Sequence, residues 1–153
     1  MIGGVPETDM AIATDGVVTL KAPRDGDSRM LVEGRDEEFR RWLGPGADAP
    51  EPVACVWVGG QLVGWVDYDV DQAWLRPGEV NVGYALFPAA RGKGHASRAV
   101  ELLLMHLRCD TEHTIATLLI DPENVRSLAV ARRLGFVEKG EVKGELFFAR
   151  DLT

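Results

Sequence analysis

Residues 79–107 read EVNVGYALFPAARGKGHASRAVELLLMHL. The stretch opens as an apolar, alternating strand, stops at Pro88, crosses AARGKGHA and becomes an amphipathic helix. Ala96, Ala99, Val100, Leu103, Leu104 and Leu107 fall on one stripe at helical spacing, so the helix runs to about Leu107. An ordinary helix start needs only one Ser, Asp or Asn as its cap. Arg91, Gly92, Lys93 and Gly94 stand there instead. A helix start exposes free N–H groups and the positive end of a dipole, so phosphates bind it where side chains leave room. Gly92 and Gly94 leave that room, while Arg91 and Lys93 add positive charge. The plainer alternative is a glycine turn ahead of a core helix.

Upstream, VACVWV and QLVGWVDYDV flank Gly59-Gly60, which reads as a tight β-hairpin. VVTLKA (17–22) alternates as a strand, and RDGDSRMLVEG and RDEEFRRWLG follow as short helices stopped by Gly34 and Gly44. PGADAPEP is a loop, and DQAWLRPG connects the hairpin to residue 79. Downstream, TIATLLI (114–120) is an apolar strand of the sheet interior. Asn124 is placed to cap VRSLAVARRL, and Gly135 to end it in the left-handed conformation. FVEKGEV and ELFFARDL close the chain as two strands. The expected order is β-α-α-β-β-β-α-β-α-β-β. This is an α/β chain with a mixed sheet, antiparallel hairpins and one βαβ crossover. Residues 1–14 read as a loosely held tail and 15–153 as a single domain.

The 153 residues suffice for a core without staples. Seventeen Lys and Arg against 24 Asp and Glu give a net charge of -7, which argues against nucleic-acid binding and favours cationic partners such as amines. No secretory leader is visible, and no apolar run approaches the roughly 18 residues of a membrane span. Cys55 and Cys109 lack metal spacing and sit in apolar stretches, so they read as two buried thiols of a cytoplasmic protein.

Two phosphate motifs fail on the glycine turn. A P-loop needs Ser or Thr after its lysine, where Gly94 and His95 follow Lys93. A dinucleotide fingerprint would place its third glycine or alanine where Ser97 stands, within a run of parallel βαβ units. RGKGHA instead resembles the R/Q-x-x-G-x-G/A acetyl-coenzyme A motif of the GNAT acetyltransferases, through Arg91, Gly94 and Ala96. VGYALFPAARGKGHASRAVELLL is similar to the strand, loop and helix of the branch that acetylates ribosomal-protein N-termini. DPENVRSLAVARRLGF is similar to that branch's N-x-x-S-x-x-V-x-x-x-x-G-F segment, through Asn124, Ser127, Val130, Gly135 and Phe136. The likeness spans about residues 15–152 and implies the GNAT acyl-CoA N-acyltransferase fold.

The resemblance implies acetyl-CoA as co-substrate, with its pantetheine arm pairing to the backbone of Leu86, Phe87 and Pro88. It implies the pyrophosphate on the amides of Gly92 to Ala96, His95 included, assisted by Arg91 and Lys93. Asn124 would touch the coenzyme from the second long helix while also serving as that helix's cap. No metal is implied; His106 and His113 lack ligand spacing. Amine attack on a thioester needs the ammonium proton removed and the departing thiolate stabilised. Two positions depart from the family pattern: Ala131 replaces the usual thiolate-protonating tyrosine, and Asn81 stands where the N-terminal branch often has Glu. Glu79 shares a strand face with Asn81 and is the remaining candidate base; its other reading is a solvated strand end. Asp67 and Asp69, with Asn81, are candidates to receive the amine, the other reading of the two aspartates being a solvated strand end. Tyr84 either reaches the thioester sulfur or packs in the core, and the core reading is favoured. Trp42 and Trp74 are expected in the acceptor walls. The expected activity is acetyl transfer to a primary amine, of a small molecule or a peptide N-terminus, by direct attack in a ternary complex. A non-catalytic acyl-CoA-binding module is the alternative, and the family likeness allows a homodimer.

Overall fold

The computed structural model describes residues 11–153. Its strands are β1 (Ala11–Thr14), β2 (Val18–Lys21), β3 (Ala54–Val58), β4 (Gln61–Asp69), β5 (Glu79–Leu86), β6 (Ile115–Ile120), β7 (Val137–Val142) and β8 (Glu145–Asp151). The helices are α1 (Asp27–Glu33), α2 (Glu37–Leu43), α3 (His95–Asp110) and α4 (Val125–Arg133), with a 3-10 turn at Pro88–Ala90. One mixed sheet runs in the order β1-β2-β3-β4-β5-β6-β8-β7. Among the described residues only β5 and β6 pair directly in parallel, joined by the crossover through α3; a second crossover, through α4, places β7 beyond β8.

Local chemistry accounts for most element ends. Gly59 and Gly60 take φ of 57° and 78°, the mirror-image turn that matches strand twist. Asn124 Oδ1 accepts from the Ser127 N–H at the head of α4, and Gly135 (φ 79°) lies just beyond its end. α3 extends a turn past the expected Leu107 to Asp110.

The sheet buries both faces. Ala54, Val56, Val66, Val80 and Val82 pack with Val100, Leu103, Leu104 and Leu107 of α3 and Leu128 and Ala131 of α4. On the opposite face Leu31, Cys55, Trp57 and Leu62 form a smaller cluster, joined by Trp65 and Phe87. Phe87 lies against Gly34, where an added Cβ would sit 2.3 Å from the ring. That close approach explains the glycine at the end of α1.

Two expectations are corrected here. Residues 11–14 of the expected tail form β1, held to β2 by ladder pairing and by a Thr14–Thr19 hydroxyl contact of 2.9 Å. The rest of that tail, residues 1–10, lies outside the described residues. Both cysteines are free, but only Cys55 is buried; Cys109 faces solvent on the last turn of α3, opposite the Leu103–Leu107 stripe.

Candidate active site

The site begins where a pair of strands comes apart. β5 and β6 pair only through Glu79–Asn81 and Ile115–Thr117. Beyond that, β5 continues along β4 as far as Leu86, while β6 continues along β8 to Ile120. The gap is V-shaped, and buried Thr117 closes its vertex by donating to Val80 O (3.0 Å) and Asn81 Oδ1 (3.2 Å). The Phe87 N–H donates to Val63 O on the β4 side. Alternation therefore turns Ala85 and Gly83 toward β4, and the backbone groups of Val82, Tyr84 and Leu86 toward the gap. A cavity of about 800 Å³ fills the V, with α2 and α4 contributing to its walls.

At the wide end lies the glycine turn. Gly92 and Gly94 have φ of 77° and 81°, and a Cβ at either would meet no atom within 4 Å. No side chain caps α3, a sixteen-residue helix whose start opens on the cavity through Gly94, His95 and Ala96. His95 Nδ1 is buried there with no hydrogen-bond partner among the described residues. A bare helix start beside an unpaired ring nitrogen suits an anion that accepts hydrogen bonds.

Arg91 has another commitment. Its guanidinium grips Asp36 in a bidentate pair (2.7 and 2.9 Å) and reaches Glu38 at 2.8 Å. Asp36 also caps α2 by accepting from the Phe39 N–H, so one carboxylate starts the helix and ties it to the glycine turn. The Arg91 hydrogen bonds, with the Phe39 amide, hold the Asp36 carboxyl well below its ordinary range. Such a group stabilises the fold above its unfolded pKa and loses that contribution as pH falls through its folded value. Asp36→Asn should therefore cost about 1–2 kcal/mol at pH 7. The deficit should start to shrink only below about pH 4, which urea denaturation at pH 7 and pH 3 will test. Equal deficits at both pH values would remove the charge from this account.

The remaining expected residues divide clearly. Leu86, Gly92, Gly94, His95, Ala96, Asn81 and Asn124 line the cavity. Phe87 does not border it, its N–H is spent on Val63, and Pro88 begins the 3-10 turn with its carbonyl accepting from the Arg91 N–H. Lys93 is exposed and does not line the cavity. Glu79 sits at the closed end of the V and accepts from the Arg76 N–H at 3.0 Å, outside the cavity. Asp67 and Asp69 lie on β4, beyond β5 from the gap, and line none of it. Asp67 instead accepts from the Val53 N–H, with burial pushing its carboxyl above the ordinary range. Trp42 lines the cavity and Trp74 does not.

Sequence reasoning favoured the core for Tyr84 over a place at the thioester. Tyr84 lines the cavity, and its hydroxyl lies 2.7 Å from Ser127 Oγ, joining β5 to α4. Burial pushes its phenol above the ordinary value, with the Ser127 bond acting in the opposite sense. The available signal was parity: Tyr84 shares the helix-side face with Val80 and Val82, but lies past the point where pairing stops. Among the described residues no group of His, Cys, Asp or Glu is placed to hold a metal.

A mixed sheet opened beside its one parallel pair, with a bare glycine turn at the head of the following helix, is the architecture of an acyl-coenzyme A transferase. Residues 18–137 match the family model of the acetyltransferase (GNAT) domain, and the chain belongs to that family. No curated protein matches it. Among solved structures it is similar to Mycobacterium smegmatis RimJ in complex with CoA-disulfide, at 22% identity and a TM-score of 0.74 over 89% of this chain and 82% of that one. It is also similar to the aminoglycoside acetyltransferase AAC(6')-Ib in complex with coenzyme A and kanamycin, at 21% identity and a TM-score of 0.75, covering 88% and 94% of the two chains. RimL, a ribosomal L7/L12 alpha-N-protein acetyltransferase in complex with coenzyme A, gives 18% identity and a TM-score of 0.71 over 92% and 97%. At these identities the likeness to each is one of fold.

Proposed function

We propose that this protein transfers the acetyl group of acetyl-CoA to a primary amine by direct attack in a ternary complex. One observation carries the reading: a single cavity joins an unpaired strand edge to an uncapped helix start. The residues present fit the coenzyme. Gly92 to Ala96 offer amides to a pyrophosphate, and the His95 nitrogen offers one more partner on that side. Val82, Tyr84 and Leu86 offer backbone groups to the amides of a pantetheine arm, in place of the missing strand. Asn124 borders the path while capping α4. Arg91 acts indirectly, by fixing the turn to α2.

Once bound, acetyl-CoA supplies an acyl group activated as a thioester. The protein's part is to hold that group against an incoming amine. Phe39 and Trp42 of α2 form an apolar wall on the acceptor side, with Glu38 near Arg91 supplying negative charge. Glu38 is already engaged in ion pairs with Arg91 and Arg126. Catalysis then rests mainly on proximity and orientation, with the amine losing its proton to water.

The test is thermal and kinetic. Acetyl-CoA at a hundredfold excess over its Kd should add about 2.7 kcal/mol of stability, or roughly 5–10 °C in Tm. Incubation with pooled amines and short peptides should release free thiol. A Tm shift without thiol release would favour the non-catalytic binding module, and neither response would remove the reading.

A further inference from the structure

We propose that the Tyr84 hydroxyl, positioned by Ser127, is the catalytic acid that protonates the departing coenzyme sulfur. The inference rests on the acetyl-transfer reading and supplies a residue that reading lacks. Where the family resemblance implied a tyrosine on α4, Ala131 is fully buried in the core and has no proton to give.

Position is the first argument. Tyr84 lies three residues past the vertex at Asn81, on the strand whose edge faces the gap. Its side chain reaches across the floor of the V to α4, where Ser127 Oγ meets it at 2.7 Å. A thioester drawn into the gap along Val82–Leu86 would run past Tyr84 on the same strand edge, in the cavity that Tyr84 and Ser127 both line. The other polar groups nearby are occupied: Asn81 accepts from Thr117, and Asn124 caps α4. His95 and Ser97 stand at the phosphate end, on the first turn of α3.

Chemistry is the second. No lysine or cysteine lines the cavity among the described residues, and Tyr84 is its only phenol. A phenol near pKa 10 is matched to a thiol near 8.5 far better than an alcohol is. Either hydroxyl can donate across this contact; in the arrangement in which Ser127 donates to the phenolic oxygen, the Tyr84 O–H is free to turn into the cavity. Burial keeps it protonated at neutral pH. In the step itself the amine nitrogen bonds to the acetyl carbon as the carbon–sulfur bond breaks, and its electron pair goes to sulfur. Tyr84 passes its proton to that sulfur, giving the free thiol. The new amide nitrogen sheds a proton to water, and the Tyr84 oxygen recovers one from water, so the cycle closes.

The experiment compares Tyr84→Phe and Ser127→Ala with the wild type, using the amine found active in the thiol-release assay. Tyr84→Phe should lower kcat about a hundredfold while acetyl-CoA affinity, read by calorimetry, changes less than threefold. The wild-type kcat should fall at alkaline pH as the phenol ionises, and Tyr84→Phe should lack that limb. Ser127→Ala should reduce kcat less and move the limb to higher pH, because the Ser127 bond is what draws the phenol downward. A Tyr84→Phe enzyme with wild-type kcat, or one whose loss tracks weakened coenzyme binding, overturns the assignment and leaves acetyl transfer standing. A wild type that binds acetyl-CoA but releases no thiol overturns both.

Discussion

Gly94→Glu is expected to abolish acetyl-CoA binding, raising Kd at least a hundredfold in calorimetry. Gly94 has a φ of 81°, and a side chain there is strained whatever space surrounds it. That strain amounts to about 1–2 kcal/mol. The larger effect is electrostatic. The turn opens at the head of α3, so a carboxylate there would occupy the anion site and repel the pyrophosphate within a few ångströms. A hundredfold loss corresponds to about 2.7 kcal/mol, well within one misplaced charge in a partly enclosed cleft. Gly94→Ala separates the two contributions, since it adds the strain without the charge and should weaken binding much less. Because an added Cβ meets nothing within 4 Å, both variants should fold. An unchanged Kd for Gly94→Glu would show that the phosphates do not use this turn.

Gly64→Ala is expected to destabilise the protein by about 3 kcal/mol or more, the upper range for forced overpacking. An added Cβ at this position on β4 would lie 2.1 Å from the Ala85 carbonyl oxygen and 2.9 Å from Leu86 Cα. Both are backbone atoms of β5, so no rotamer change relieves the clash and the strands must part. Leu86 also borders the cavity, so coenzyme affinity should fall along with Tm. At roughly 2–4 °C per kcal/mol, Tm should drop by about 6–12 °C. Gly83→Ala is the control: its Cβ would meet only Trp65, at an ordinary 3.7 Å. A Gly64→Ala protein melting within 1 °C of the wild type would mean that β4 and β5 are not held as closely as described here.

The part of the site that sequence made legible is the part built from neighbouring residues. A turn of Gly92 and Gly94 with no Ser, Asp or Asn ahead of α3 announces an uncapped helix, because capping is decided within four residues. Asn124 was legible for the same reason, and so was the Gly59–Gly60 hairpin. Charge was less informative than conformation. Arg91 read as a phosphate partner because it adds positive charge beside the bare helix start, yet Asp36 and Glu38 reach it from 55 and 53 positions earlier. Glu79 read as a base because strand alternation places it on a face with Asn81. Alternation says nothing about distance along the strand, and Glu79 lies at the closed end of the V. Asp67 and Asp69 likewise share one strand face, but on β4, and they do not line the cavity.

By itself the sequence determined the order of elements from β2 onward, the mixed sheet and the bare helix start, since each follows from periodicity, turn chemistry and caps acting over a few residues. Only the tertiary structure decided which strand edge is left open, which cation is already paired, and which hydroxyls meet. Those outcomes depend on how far β5 follows β6 before the two diverge, and on side chains tens of residues apart arriving at the same cavity. Thr117 closing the vertex and Tyr84 meeting Ser127 are contacts of that kind, and no local pattern encodes them.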